Sequence, residues 1–313
     1  MRAVVVALSM FLAAATAVTG AATRTFGRID GLVLSDYRGT WTTIPTSIND
    51  RGDIAGWAVS EDGESAAFVR AAGGRYRTIA DAATPTDINN RGAVVGVYLP
   101  CGSDACWPEG FVWSGTSGIQ SLGSFFPYAL NDKGDMAGVC ASEQQACVLR
   151  DQVVSAVAEP DSEALGINAK GDVVGTYGDN RAFLLTANWA FRDIGRGVAN
   201  DINDRGVIAG HRWKLLGERG ERAVATVWTS RGTRSPAPEV SLGVAINSRG
   251  WVIANAWDAH EVPYSFAWNA ATGVRLLLEG TEGAYIQVED VNDRGEVVGT
   301  IGTHGAIWRL PRK

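Results

Sequence analysis

Short apolar runs alternate along the chain with a polar unit that recurs seven times. The unit is an apolar residue, Asn, two mostly polar residues, Gly, one further residue, two apolar residues and a small residue. Successive Asn positions are separated by 35 to 45 residues. Such self-similarity predicts a repeat architecture. The copies lie at 48–56, 88–96, 130–138, 167–175, 202–210, 246–254 and 291–299.

Each unit predicts a tight turn between two β-strands, because an apolar residue precedes it and an apolar pair follows it. The Asn side chain can accept hydrogen bonds from backbone N–H groups ahead of it. Gly at the fourth turn position can adopt the positive φ that closes a type I turn with a bulge. The Asp of the first unit, Asp50, fits the same turn chemistry. A calcium loop would need several spaced oxygen ligands, and each unit supplies one or two.

A second pattern follows each turn after a variable interval. It is a short apolar or aromatic run, which predicts a third strand with one side chain packed between sheets. A fourth stretch, such as 76–79 or 118–122, leads into the next turn. Four short strands in each period of roughly 40 residues are typical of one propeller blade. The third-strand runs are 67–69, 110–113, 146–148, 182–184, 225–228, 265–268 and 305–308.

The two ends of the repeat array predict ring closure. The last copy stops after its third strand at 307–310, and residues 39–44 are interpreted as a fourth strand without partners. An N-terminal strand that completes the last blade removes an open sheet edge, and 32–34 can add one more strand. The sequence therefore predicts an all-β, seven-bladed β-propeller closed by an N-terminal strand. The alternatives are six or eight blades, or an open β-solenoid.

One stretch without glycine, 140–165, could be assigned to a helix from local composition. The repeat phase instead predicts strands at 147–149 and 153–157. We follow the phase, because tertiary context overrides local propensity.

The N-terminal residues predict export. A basic start at Arg2 precedes an apolar run from Ala3 to Val18 and then small residues up to Ala22, which is the pattern of a secretory signal peptide. We expect a signal peptide at 1–22 and a single propeller domain at 23–313, secreted to the periplasm or the medium. The alternative is an uncleaved anchor, for which the run is short.

Four cysteines form two pairs that are close in sequence, Cys101 with Cys106 and Cys140 with Cys147. An even count in an exported chain predicts two local disulfides. A four-cysteine zinc site is the alternative, but no C-x-x-C pair is present.

The composition limits the kinds of molecule that we expect the chain to bind. The chain has 313 residues, 20% of them charged, and a formal net charge of −6, which argues for a folded protein and against nucleic-acid or anionic-membrane binding. No later segment is apolar enough to span a bilayer once the signal peptide is removed. No nucleophile elbow, metal-binding His pair or phosphate loop occurs, so neither a cofactor nor a catalytic residue is predicted. We expect a monomer.

The I-N-D-x-G-x-V-V-G unit, followed by an Ala-Phe-Val-Trp element, resembles the HAF family of extracellular repeats over residues 45–308. The family's His-Ala-Phe signature is degenerate here, because only His304 stands near its His position and Gly305-Ala306-Ile307 follow. The resemblance implies export and a propeller-like fold. It implies no reaction and no catalytic residue.

The repeat phase assigns two different faces. The uniform Asn turns lie on what we call the turn face, which is predicted to be structural. The opposite face, called the loop face, carries variable loops at 97–109, 211–223 and 255–264, and loops on a rigid scaffold often carry function. Aromatic rings there could stack on sugars or contact a protein, although several could instead pack between blades. The candidate ligand-binding residues are Trp57, Tyr98, Trp107, Tyr177, His211, Trp213, Trp257 and His260, with Tyr264 and His304 on the same side.

Two further sets of residues, three histidines and seven turn cations, are candidates for binding. His211, His260 and His304 lie in three consecutive copies and need not converge, so no metal site is predicted. The third turn position carries a cation in every copy, and a ring of cations could attract an anionic polymer unless neighbouring Asp residues and solvent neutralise it. The cations are Arg51, Arg91, Lys133, Lys170, Arg205, Arg249 and Arg294.

These features favour a secreted binding or scaffold module whose ligand is a glycan or a cell-surface protein held on the loop face. A propeller-type glycan hydrolase or lyase is the alternative, since the fold supports both. A purely structural envelope protein is a third possibility.

Overall fold

The computed structural model describes residues 27–38, 41–101, 106–216, 220–236, 240–269, 271–280 and 284–311. The regular elements of these residues are all β-strands, numbered β1 to β29 in chain order. The predicted signal peptide lies outside the described residues. The first two strands, β1 (Gly27–Asp30) and β2 (Leu32–Val33), precede the repeats.

The strands after β2 form four-stranded antiparallel meanders, which we number as blades. Blade 1 contains β3 (Thr42–Ile48), β4 (Ile54–Val59), β5 (Ser65–Arg70) and β6 (Tyr76–Asp81). Blade 2 contains β7 (Ala83–Ile88), β8 (Val94–Tyr98), β9 (Glu109–Ser114) and β10 (Gly118–Gly123). Blade 3 contains β11 (Phe125–Leu130), β12 (Met136–Cys140), β13 (Gln145–Arg150) and β14 (Val153–Pro160). The last two strands confirm the repeat phase across 140–165.

The remaining blades follow the same order. Blade 4 contains β15 (Glu163–Ile167), β16 (Val173–Tyr177), β17 (Arg181–Leu185) and β18 (Phe191–Arg196). Blade 5 contains β19 (Val198–Ile202), β20 (Ile208–Leu215), β21 (Glu221–Thr229) and β22 (Gly232–Arg234). Blade 6 contains β23 (Ser241–Ile246), β24 (Trp251–Trp257), β25 (Pro263–Asn269) and β26 (Arg275–Glu279). Blade 7 contains β27 (Ile286–Val291), β28 (Glu296–Ile301) and β29 (His304–Arg309).

The blades are arranged in a ring. The first strand of each blade contacts the first strand of the next, and β27 of the last blade contacts β3 of the first. These seven first strands therefore surround a central axis, and the other strands of each blade lie progressively further out. The chain is a seven-bladed β-propeller, as predicted.

The segment before the repeats closes the ring, but not where the sequence suggested. Residues 42–48, taken in part as an outer strand, form the innermost strand of blade 1. The strand that completes blade 7 is β2, which pairs antiparallel with β29. Earlier in the chain, β1 pairs parallel with β26 and adds a fifth strand to blade 6, the neighbour of blade 7. Tyr37 then stacks on Phe68 of blade 1, at 5.7 Å between ring centroids. The segment thus joins the outer edges of three consecutive blades.

The hydrophobic core lies between neighbouring blades. Phe111 of blade 2, for example, is fully buried in a cluster that also contains Ala55 and Ala67 of blade 1. The third-strand position that carries Phe111 is also a fully buried Phe in blades 1, 4 and 6. Burial of one phenylalanine side chain stabilises the fold by about 1.5–3 kcal/mol, so this position stabilises successive blade contacts.

Small residues allow the first and second strands to approach closely. The glycine that ends the repeated unit pairs with the third-strand aromatic position, as Gly96 pairs with Phe111. A Cβ atom at this glycine would lie 1.9–2.4 Å from a carbonyl oxygen of the inner strand in six of the seven copies. In these six copies a larger residue would therefore clash with the backbone of the inner strand.

Blade 3 replaces the aromatic packing with a disulfide. Cys147 stands at the buried third-strand position, and it bonds to Cys140 on the neighbouring strand β12 with a Cα–Cα distance of 5.7 Å. The other predicted pair, Cys101–Cys106, is also bonded. Both disulfide predictions are confirmed.

Seven buried asparagines organise the turns. In each turn the Asn Oδ1 accepts hydrogen bonds from the backbone N–H groups two and four residues ahead, at 2.9–3.1 Å. The turn glycine has φ between 76° and 94°, a conformation that strongly favours Gly. The predicted turn chemistry is therefore confirmed.

The same asparagines connect the blades. Each Nδ2 donates to the backbone carbonyl of the equivalent Asn in the next blade, at 2.9–3.3 Å. The seventh bond runs from Asn292 to Asn49, so the set is a closed ring of hydrogen bonds. The side chains are 3–7% exposed, which makes an unpaired group in this ring costly.

Replacing Asn131 tests the ring. Asn131→Ala removes two accepted hydrogen bonds and two donated bonds, to Asn168 O and Asp135 Oδ2, and we expect a loss of about 2–4 kcal/mol in the free energy of unfolding. Asn131→Asp keeps the acceptor but removes both donated bonds and places a carboxylate beside that of Asp135, so we expect a loss at least as large at pH 7. Denaturant unfolding gives both values. The matched control is Asn188→Ala at an exposed Asn, expected within about 0.5 kcal/mol of the parent; equal losses at both sites would contradict the assignment.

Candidate functional site

The turn face is occupied by interactions between blades. The residue after each Asn forms a second set of contacts, in which Asp50 Oδ1 accepts from Asp293 N–H at 2.7 Å and Asn90 Oδ1 accepts from Asp50 N–H at 2.7 Å. The seven inner strands enclose a central space, which we call the channel. The turns of all seven blades together line a cavity of about 200 Å³ at the turn-face end of this channel. These contacts hold the turns of neighbouring blades together, which agrees with the structural role expected for this face.

Several turn cations also connect one turn to the next. Lys133 donates to the carbonyl of Lys170, Arg249 to that of Arg294, and Arg294 to that of Arg51, at 3.0–3.3 Å. These contacts orient the side chains along the ring rather than outward. A carbonyl carries no formal charge, so these contacts do not neutralise Lys133 or Arg249, whereas Arg294 also forms an ion pair with Glu296 at 2.9 Å.

Three aspartates of the inner strands lie two residues before the turn Asn. Asp87, Asp201 and Asp290 each accept a hydrogen bond from the following residue's N–H, and each accepts another from the inner strand of the next blade. The second contacts measure 2.8–2.9 Å and join blades 2 to 3, 5 to 6 and 7 to 1. Their carboxylates therefore act as ties between blades.

Burial raises the pKa of these carboxyl groups. Loss of hydration is the main cause, and it raises the pKa of Asp87 to about 6 and that of Asp201 to about 7. The pKa of Asp290 is raised for the same reason. Perturbed carboxyl groups often mark functional sites, but here their oxygens are engaged by backbone donors.

Ser47 lies between two of these aspartates. Its Oγ is 2.8 Å from Asp87 Oδ1 and 2.7 Å from Asp290 Oδ2. A hydroxyl carries one proton, so both contacts are hydrogen bonds only when one carboxyl group is protonated. The junction of blades 7, 1 and 2 thus favours an extra proton, in agreement with the raised pKa values.

Two further acids lie on inner strands, Glu289 on β27 and Glu163 at the first residue of β15. Burial raises the pKa of Glu289 to about 7, and the neighbouring Asp290 charge adds to the effect. Gln287 Nε2 donates to Glu289 Oε1 at 2.6 Å. Burial also raises the pKa of Glu163 and that of Tyr128 on the preceding blade, the latter to about 12. Sequence reasoning did not single out these channel acids, although polar residues on predicted inner strands were a visible signal.

Several aromatic residues predicted for ligand binding pack within the blades. Tyr98 contacts Phe111 edge-to-face at 5.9 Å. Tyr177 contacts Phe183 and Phe191 at 6.2 and 5.3 Å. Tyr264 contacts Phe266 at 6.1 Å and accepts a hydrogen bond from Arg275. These rings line the outer layers of their blades.

His211 and Trp213 lie on β20, in a part of the chain predicted as a loop. That prediction is wrong for 211–215 and 221–223, because these residues extend β20 and β21 into a long hairpin. The two rings meet edge-to-face at 5.8 Å. Burial lowers the pKa of His211 to about 4, so its imidazole is neutral at pH 7.

Other predicted residues differ in their access to solvent. Trp57 lies partly buried on β4, and Trp257 lies partly buried at the end of β24. His260 is exposed in a turn, where its N–H donates to Asp258 Oδ1 at 2.7 Å. Trp107 is 84% exposed and directly follows the Cys101–Cys106 disulfide. The most accessible predicted aromatic side chain is therefore on the blade 2 loop.

The comparisons with known proteins identify the fold class. No family model matches the sequence, and no curated protein matches it. Among solved structures, the chain is similar to the β-propeller domain of the trilobed protease from Pyrococcus furiosus, with a TM-score of 0.61 and 10% identity over 87% of this chain and 97% of that one. It is also similar to a streptogramin B lyase, with a TM-score of 0.52 and 11% identity over 91% of this chain and 97% of that one.

A third similar structure is the Pyrococcus horikoshii acylaminoacyl peptidase, with a TM-score of 0.54 and 10% identity. The match covers 83% of this chain but 49% of that one. At such low identity these similarities support the propeller fold alone. Within the described ranges, no helix has the length and apolar character needed to cross a membrane, and no three His, Cys, Asp or Glu side chains are grouped to hold a metal.

Replacing Glu289 tests the buried channel acids. Its pKa is raised in the folded state, so the folded protein binds the proton more tightly than the unfolded chain does. This contribution to stability is complete below about pH 4.5 and is lost as pH rises through about 7. Glu289→Gln mimics the protonated acid, and we expect it to stabilise the protein at pH 8 by about 2 kcal/mol with little effect at pH 4.5.

Urea unfolding at the two pH values measures the difference. The control is Glu61→Gln, which changes an exposed Glu outside the channel. Equal effects of Glu289→Gln at both pH values would contradict the raised pKa.

Proposed function

We propose that the chain is a secreted propeller that binds a glycan through its loop face. The proposal rests on one difference between the two faces, namely which side chains remain accessible to a ligand. The turn face uses its polar groups in the asparagine ring, whereas the loop face presents Trp107 at 84% exposure beside a disulfide. An exposed Trp on a disulfide-constrained loop can anchor a ligand, because Trp is enriched among the residues that contribute most to binding.

The geometry around Trp107 supports a sugar ligand over a protein partner. An indole face can stack on the apolar face of a sugar ring, and the disulfide limits the entropy lost when the loop binds. The loop face also has exposed Leu215 on the blade 5 hairpin, but that residue belongs to a blade three positions along the ring. Isolated aromatic contacts suit sugar rings better than a continuous protein interface, which needs a larger apolar patch. A cell-surface protein is the alternative occupant.

Export supports this assignment. Two disulfides are typical of oxidising compartments, and the first 22 residues have the pattern of a signal peptide. The resemblance of the repeats to the HAF family agrees with an extracellular or periplasmic location.

The alternative of a glycan hydrolase or lyase would need free carboxyl groups near the ligand. The three inner-strand aspartates already accept backbone hydrogen bonds on both oxygens. This engagement favours a structural role for these three aspartates over a catalytic one.

Glycan array binding by Trp107→Ala tests the site. We expect the variant to bind about five- to tenfold more weakly than the parent, because one stacking contact contributes about 1–1.5 kcal/mol. The matched control is Trp189→Ala, which removes an exposed Trp from the turn face. Binding that falls equally in both variants, or in neither, would argue against the site; binding to surface proteins but not to glycans would favour the alternative partner.

The Cys101–Cys106 disulfide provides a second test. Replacing both residues with Ser leaves the blade cores unchanged, so we expect little change in thermal stability. We expect weaker glycan binding, because the loop before Trp107 then loses more conformational entropy on binding. Calorimetric titration with an array-selected glycan measures the affinity, and an unchanged affinity would show that the disulfide does not position the binding residue.

A further inference from the structure

Blade 7 differs from the other blades on the turn face. In blades 1 to 6 a turn joins the third strand to the fourth, but the fourth strand of blade 7 is β2 from the N-terminal segment. Among the described residues, no third-to-fourth turn lies over the end of β29. A cleft of about 520 Å³ lies at this position, lined by Arg249, Arg294, Glu296, Arg309 and Leu310.

The missing turn changes the partners of one acidic position. In blades 1 and 4 the carboxylate four residues after the turn Asn accepts an N–H from the third-to-fourth turn, as Asp53 does from Ala72 and Asp172 from Ala187. In blade 7 this position is Glu296, which is 7% exposed. Arg294 pairs with its Oε1 at 2.9 Å, as Arg51 pairs with Asp53 in blade 1. In place of the turn N–H, the guanidinium group of Arg309 lies 3.7 Å from the same oxygen.

The cleft therefore has an excess of positive charge. Three arginines and one carboxylate line the cleft, and two of the arginines donate to backbone carbonyls. Arg249 donates to Arg294 O at 3.2 Å and to Pro311 O at 2.9 Å, and Arg294 donates to Arg51 O at 3.0 Å. Carbonyl contacts hold Arg249 without neutralising it, whereas Arg294 is also ion-paired with Glu296 at 2.9 Å. Arg309 is 71% exposed, and among the described residues its nearest acid is Glu296 at 3.7 Å. The single carboxylate can balance only one of the three positive charges.

We propose that this cleft is a binding site for an oxyanion carried by a sugar-sized ligand. Planar guanidinium groups donate paired hydrogen bonds to carboxylate and phosphate oxygens. The volume is larger than a bare anion requires and admits a single acidic monosaccharide, with Leu310 as an apolar wall. The site lies on the face opposite Trp107, so it goes beyond the proposed function and is independent of it.

The experiment is a calorimetric titration of the folded chain at low salt with galacturonate, inorganic phosphate and galactose. Galacturonate and galactose share a sugar ring and differ in the carboxylate, while phosphate supplies the charge alone. We expect galacturonate to bind, phosphate to bind more weakly, and galactose to show no binding. Phosphate binding without galacturonate binding overturns the sugar assignment, and galactose binding as well as galacturonate overturns the role of the charge.

Three variants locate the site. Arg309→Gln removes an exposed charge, and we expect galacturonate affinity to fall about tenfold. Glu296→Gln removes the competing carboxylate, so we expect the affinity for galacturonate to rise. General destabilisation would lower this affinity and could not produce such an increase. The control is Arg205→Gln, which removes an exposed turn cation of blade 5 that does not line the cleft and should leave affinity unchanged. Equal losses in Arg309→Gln and Arg205→Gln, or no binding by the parent at millimolar galacturonate, overturn the proposal.

Discussion

The ring of asparagine side chains is the interaction on which the rest of the propeller depends. One amide shapes its own turn through two accepted bonds and connects it to the next blade through a donated bond. Because the bonds are buried and the ring is closed, any missing member leaves unpaired polar groups. Distant parts of the sequence are thereby held in register, including Asn292 and Asn49 at the two ends of the repeats.

The ring divides the molecule into two unlike faces. On the turn face each amide must reach a carbonyl about 3 Å away, so an insertion in a turn would displace its neighbour. On the loop face the described residues form no equivalent ring, and the connections vary from the short turn of blade 7 to the long hairpin of blade 5. Variation is confined to the side where it does not disturb closure, and this side is where an exposed Trp107 occurs.

Closure also has a local cost. The inner aspartates join blades through backbone donors, yet burial disfavours their charged forms, and Ser47 cannot donate to both Asp87 and Asp290 at once. At the outer edge, completion of blade 7 by the N-terminal strand leaves no turn over Glu296. The junction between the first and last blades is therefore where repeat symmetry is broken and where groups with unusual protonation or charge are found together.

The sequence by itself determined the seven turns, the third strands, the disulfide pairs and the closed ring, because each follows from local spacing and periodicity. It misplaced the closing strand, since Thr42–Ile48 and Leu32–Val33 are both short and their roles depend on partners far along the chain. Only the tertiary structure decided that Tyr98 and Tyr177 pack on phenylalanines and that Asp290 reaches blade 1, 242 residues away. Local pattern fixes strands and turns, whereas the environment of a side chain depends on which blades become neighbours.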